Sequence, residues 1–222
     1  LEPNNRAVVR GLASLLLMTK GATPEVGELM EQLQKVARDS DDYHALARWE
    51  LVQQRPERGW ELALRATALD PGCGNCFQTA AAAKAQQLDF AGAARYQRVV
   101  VNLSAEQANP NVLSRLRLLE AARSSVAEPR PTSKGLAKPV VDAVLGASYV
   151  AFRACCERAF ESKDDEAKHV MAARLEVDAQ GAVTAAESTS STLPAATSVA
   201  CVVEKLRAVR FPPPAGGATR LS

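Results

Sequence analysis

Apolar residues recur every three or four positions through the first 126 residues, with polar residues between them; this is the spacing of amphipathic helices. The first stretch, residues 5–19, places Val8, Leu12, Leu15, Leu16 and Thr19 near one face, which is the face expected to be buried. Gly21 ends it. Thr23-Pro24-Glu25 restarts the pattern, with Thr as N-cap and Pro at the first helical position. Val26, Leu29, Met30, Leu33 and Ala37 then recur at helical spacing. Ser40-Asp41-Asp42 opens a third helix, predicted to reach Gln54, and Pro56-Glu57 a fourth, ending at Leu69-Asp70-Pro71. A fifth begins at Asn75, a sixth at Asp89, and a seventh runs from Asn109-Pro110 to about Val126. Links of only a few residues make neighbouring helices antiparallel, so residues 1–126 read as a stack of helical hairpins.

A repeat underlies the stack. Gly27, Gly59 and Ala93 lie 32 and 34 residues apart, each early in the second helix of a hairpin. Gly59-Trp60-Glu61-Leu62-Ala63-Leu64-Arg65-Ala66-Thr67-Ala68-Leu69-Asp70-Pro71 resembles the second helix of a tetratricopeptide repeat, with small residues where helices touch and an Asp-Pro stop. The next unit places Phe77 where the repeat wants a large residue and Leu88-Asp89-Phe90 at its turn. The match is degenerate: Gln97 stands where an aromatic is usual, and Glu50 and Lys84 where Tyr is common. Tyr43, Trp49, Trp60, Phe77 and Tyr96 read as packing between helices, with a ligand groove as the other reading. In repeat solenoids the first helix of each hairpin lines the concave surface. That makes His44, Arg48, Asn75 and Gln78 the candidate partner-binding residues of this segment.

Residues 127–138 carry two prolines, a glycine and no periodic apolar face; they read as a linker between two separately folded domains. Beyond it, Pro139 starts a long helix expected to run to Ser162, with Val141, Val144, Ser148, Phe152, Cys155 and Ala159 as its stripe. Met171, Ala173, Leu175 and Val177 then alternate with Val170, Ala172, Arg174 and Glu176, which is strand spacing. Asp178-Ala179-Gln180-Gly181 is a turn, and residues 183–188 return as a second strand. A helix follows from about Ala195, with Val199, Val202, Val203 and Leu206 on one face, and a third strand begins at Ala218. The predicted fold is therefore α+β with two domains: helical hairpins, then helix-strand-strand-helix-strand with an antiparallel sheet in residues 139–222.

The order and spacing of Phe152–Phe160, Leu175–Val183, Ser190–Leu193, Ala200–Val203 and Arg210–Gly217 resemble the AgmX/PglI C-terminal domain of myxobacterial gliding proteins. That domain is itself similar to the C-terminal domain of TonB. Two departures are visible: Cys155-Cys156 stands where the family commonly has Cys-Tyr, and the final strand is short. The resemblance implies an envelope location, periplasmic or associated with the outer membrane and its proteins. It also implies a role in binding a protein or peptide partner rather than catalysis. With its compartment it favours a bridge from Cys201 to Cys155, with Cys156 as the alternative partner and two buried free thiols as the plain alternative. The sheet edge at Ala218–Ser222, with Thr219 and Arg220, is a second candidate partner-binding site through strand addition.

Cys73-Gly74-Asn75-Cys76 is a Cys-x-x-Cys at a helix N-terminus, where thiol pKa falls. Thioredoxin-like chemistry needs a strand before such a motif and a βαβ unit around it. In a helical stack a local structural disulfide is the better reading, and a thiol-disulfide enzyme using Cys73 and Cys76 the competing one. Zinc needs four ligands, and no second pair lies near. Asp164-Asp165-Glu166 reads as a solvated loop rather than a calcium site. His44 and His169 fall in different domains, and no phosphate-binding glycine loop occurs, so neither cofactor nor metal is implied.

Charge adds an exclusion. With 27 Lys and Arg against 25 Asp and Glu, and both kinds spread through both halves, neither half is basic enough to track a phosphate backbone. Nucleic acid is not the expected partner. No apolar run approaches the ~20 residues that span a bilayer. The start at Leu1-Glu2-Pro3 and the end at Thr219–Ser222 read as trimmed, which leaves a cytoplasmic scaffold as a further alternative.

Overall fold

Capping decides where the first helices begin. The computed structural model describes residues 5–19, 22–104, 110–127, 135–156, 170–193 and 195–222, and for Met18, Thr19 and Cys156 the backbone. After α1 (Arg6–Thr19), α2 (Pro24–Val36) starts where the Val26 amide donates to Thr23 Oγ1 at 3.4 Å. α3 (Ser40–Val52) opens on a capping box: the Asp42 amide donates to Asp39 Oδ1 at 3.0 Å, and the Asp39 amide to Asp42 Oδ2 at 3.3 Å. α4 (Pro56–Leu69) has Pro in its first turn, α5 (Gly74–Gln86) begins one residue before the predicted start, and α6 (Phe90–Leu103) is capped by Asp89. α7 (Pro110–Ala127) completes the helical row. α3 ends at Val52 rather than Gln54, because the chain turns through a positive φ at Gln54.

Successive helices pack as hairpins. Gly59 shows why a small residue belongs early in a second helix. A Cβ there would lie 2.7 Å from Leu51 Cδ2 and 3.3 Å from the Ala47 carbonyl oxygen, so α3 and α4 meet backbone to side chain. Of the aromatics predicted to pack between helices, Tyr43, Trp49, Trp60 and Tyr96 join one apolar cluster: Trp60 Nε1 donates to Tyr96 Oη at 3.2 Å, Lys84 Nζ sits 3.9 Å from the Trp60 ring centroid, and Arg65 lies over Tyr43.

One predicted face is corrected. In α1 the buried residues are Val9, Ala13, Leu16 and Leu17, whereas Val8, Leu12 and Leu15 of the expected stripe are exposed. The reason is electrostatic. Arg6 and Arg10, one turn apart, both reach the start of α3, where Asp42 is fully buried and paired with Arg6 at 3.1 Å and Arg10 at 3.1 Å. That contact sets the rotation of the helix about its axis and turns Val8 outward.

The predicted long helix from Pro139 is instead two segments, α8 (Lys138–Ala147) and α9 (Tyr149–Cys156), separated at buried Ser148. Gln86 Nε2 of α5 donates to the Ala147 carbonyl at 3.1 Å at the break. Residues 157–162 of the predicted helix, like Asp164–Glu166 and His169, lie outside the described residues. α8 packs on α5 and α7, and α9 on α1 and α3. Both thus run along the first helices of the hairpins. One apolar cluster joins Phe90, Leu119, Val140 and Val144 to Leu175, Leu206 and Phe211.

The sheet has order β2-β1-β3, formed by β1 (Met171–Val177), β2 (Val183–Ser191, three residues longer than predicted) and β3 (Thr219–Leu221), all antiparallel. One face carries Leu175, Val177 and Ala186 into the core, with α10 (Ala196–Arg207) packed on β2. The other carries cross-strand ion pairs, Arg174–Glu187 at 2.8 Å and Glu176–Arg220 at 2.6 Å. The β1–β2 turn depends on Gly181, with φ +84°, because a Cβ there would overlap the Phe211 carbonyl while the Phe211 amide donates to Gly181 O at 2.8 Å.

Candidate functional site

Covering of the first-helix row by α8 and α9 leaves an open cleft of about 1060 Å³ at one end, between the start of α5, the end of α6, α7 and α8. Asn75 and Gln78, two predicted partner-binding residues, line it. Asn75 is exposed because it sits in the first turn of α5, and Gln78 follows three residues later on the same side. Asn102, Asn111 and Ser114 add neutral hydrogen-bonding groups, and Val100, Leu118 and Ala143 supply apolar wall. Such a surface, apolar with dispersed carboxamides and hydroxyls, suits an extended chain that brings its own amides and side chains.

His44 and Arg48 stand elsewhere, on α3, and do not line this cleft. His44 Nε2 lies 3.1 Å from Thr79 Oγ1, and Thr79 donates its own proton to the Asn75 carbonyl at 3.0 Å. Thr79 can therefore only accept from His44, which fixes the Nε2–H tautomer. Burial pushes the His44 pKa down to about 4; the neighbouring Arg48 charge adds to this and Asp41 opposes it. A neutral His44 thus anchors α3 to the helix turn that presents Asn75.

The same turn is closed covalently. Cys73 and Cys76 form a disulfide, with Cys76 fully buried, so the end of α5 that borders the cleft is stapled. The second bridge joins Cys155 of α9 to Cys201 of α10, the favoured pairing over Cys156. It borders a separate crevice of about 320 Å³ lined by Val52, Ala151 and Ser198. Thr219 and Arg220 form part of β3, an outer strand of the sheet, far along the fold from Asn75 in connectivity; Arg220 is held by Glu176. Gly135 exchanges two backbone hydrogen bonds with Ala215, just ahead of that strand.

Sequence reasoning missed Arg115. It lines the cleft from α7, half-buried, and burial holds its guanidinium below the usual arginine range. Its signal was weak, since Arg115 and Arg117 flank Leu116 in a helix whose apolar face is poorly defined. Among the described residues no group of three or more His, Cys, Asp or Glu side chains is placed to hold a metal. No helix among them is long and apolar enough to cross a membrane. No family model, curated protein or solved structure matches the chain.

Proposed function

We propose that this protein is a non-enzymatic interaction component of a bacterial envelope assembly, and that it holds a partner protein or peptide in the cleft bordered by α5, α7 and α8. The observation that carries this reading is the cleft itself, open, lined by Asn75, Gln78, Asn102 and Asn111, and bordered by the turn stapled by Cys73–Cys76. Two disulfides fit an oxidising compartment outside the cytoplasm. The resemblance of residues 139–222 to the AgmX/PglI C-terminal domain points to the gliding machinery of a myxobacterium. The outer side of β3 supplies a second contact, where an extended partner segment adds as a strand.

A photo-reactive residue at Gln78, in protein expressed alongside the gliding apparatus, should cross-link to an envelope protein. The same residue placed at Leu69, exposed at the end of α4, should not. Equal labelling from both positions, or none from Gln78, would remove the cleft from consideration.

A further inference from the structure

Arg115 has no ion-pair or hydrogen-bond partner among the described residues, although it is half-buried in the cleft wall. Several other arginines in this fold are matched: Arg98 pairs with Glu120 at 2.8 Å, and Arg6 and Arg10 converge on Asp42. Taking a guanidinium out of water without a counter-charge is unfavourable, and burial lowers its proton affinity. A fold keeps such a group where a ligand completes it. Among the described residues no Asp or Glu lines the cleft to compete for the charge.

The ligand chemistry follows from the group. Arginine presents a planar fork of donors that matches a carboxylate in two parallel hydrogen bonds. Beside it, Asn75 and Gln78 offer both donors and acceptors, as a peptide backbone requires, and Leu118 and Val100 offer apolar wall. A volume of about 1060 Å³ is at the upper end of small-molecule sites and accommodates several residues of extended chain. We propose that Arg115 anchors a carboxylate of a peptide segment laid across Asn75 and Gln78, either a chain-terminal carboxylate or an acidic side chain. This rests on the peptide-binding reading above.

The test uses the whole 222-residue chain, ¹⁵N-labelled, and three hexapeptide pools on an alanine–leucine background. One pool carries Glu and an amidated C-terminus, one a free C-terminus without acidic side chains, and one is neutral and amidated. At least one acidic pool should shift the Arg115 Nε–H signal together with the Asn75 and Gln78 carboxamides. Which of the two does so identifies the source of the carboxylate. Arg115→Gln should weaken that binding by on the order of tenfold to a hundredfold, and Arg115→Lys should recover only part of it. If all three pools bind in the cleft equally and Arg115→Gln changes nothing, the anchor is wrong while the peptide cleft stands. If no pool moves the Asn75 and Gln78 signals, both fail. Thermal unfolding provides a readout without peptide: Arg115→Met should leave the midpoint unchanged or raise it, because an unmatched charge is removed. A lowered midpoint would show that Arg115 serves the fold, and would overturn the proposal.

Discussion

Asp42 has no exposed surface and carries a carboxylate, so its donors decide whether the junction of α1 and α3 holds. It accepts from the backbone amides of Arg38 at 2.9 Å and Asp39 at 3.3 Å, besides its two arginine pairs. Asp42→Ala leaves Arg6 and Arg10 unmatched on this side and should lower unfolding stability by roughly 3–5 kcal/mol in urea titrations. Asp41→Ala, at a mostly exposed carboxylate 3.6 Å from Arg10, should change it by less than about 1 kcal/mol. The sequence marked Ser40-Asp41-Asp42 as a helix start, since that signal is local. It did not show that Arg6 and Arg10, some 30 residues earlier, supply the counter-charge. Acid separates two further residues. His44 has a folded pKa of about 4 against 6.5 unfolded, so the unfolded chain takes the proton first. Its contribution is whole above pH 6.5 and is lost as pH falls towards 4. Asp39 acts lower: burial opposes its charge, but the Asp42 amide, Arg10 and Arg6 outweigh it and hold the carboxyl below 3.8. Its contribution is present above that value and lost below it. Urea midpoints should therefore decline between pH 6.5 and 4, and His44→Gln, which keeps a donor for Thr79, should flatten that decline.

At the scale of elements, start signals carried the sequence reading, and the face assignment failed in α1. Thr23-Pro24, Pro56 and Asp89 each mark a helix start found in the structure, because caps act over three or four residues. α1 carries two apolar stripes, Val8-Leu12-Leu15 and Val9-Ala13-Leu16-Leu17, and apolar spacing alone cannot choose between them. The break at Ser148 was equally hidden, since the apolar stripe runs through it and the donor at the break, Gln86, comes from another hairpin. The β1–β2 turn was legible through Gly181. Gly181→Ala would combine a left-handed φ with an overlap on the Phe211 carbonyl, and should lower stability by roughly 3 kcal/mol. Ala182→Gly, next in the turn, provides the control, and far-ultraviolet dichroism through a urea series measures both.

For the whole molecule the question is how the helical hairpins and the sheet hold together. The prolines and glycine of residues 127–138 read as a boundary, and nothing in the apolar spacing told that Val140, Ala143, Val144 and Ala147 turn back onto α5 and α7. Of these four, each is at most 3% exposed, so parting α8 from α5 and α7 would open that face to water. Burying a valine side chain is worth about 1.5–3 kcal/mol, and two valines with two alanines make the contact strong enough to survive cleavage. A protease site placed within residues 128–134 and cut to completion should therefore give two fragments that co-elute as one 23.7 kDa species on gel filtration. Val144→Asp would bury an unpaired carboxylate in the same face and should separate them. The bridge between Cys155 and Cys201 lies wholly within the later fragment, so reduction tests something else: it closes a separation of 46 residues and should lower that fragment's thermal stability by up to about 4 kcal/mol. Fragments that part on cleavage without Val144→Asp would show that α8 rests on α5 and α7 without holding them.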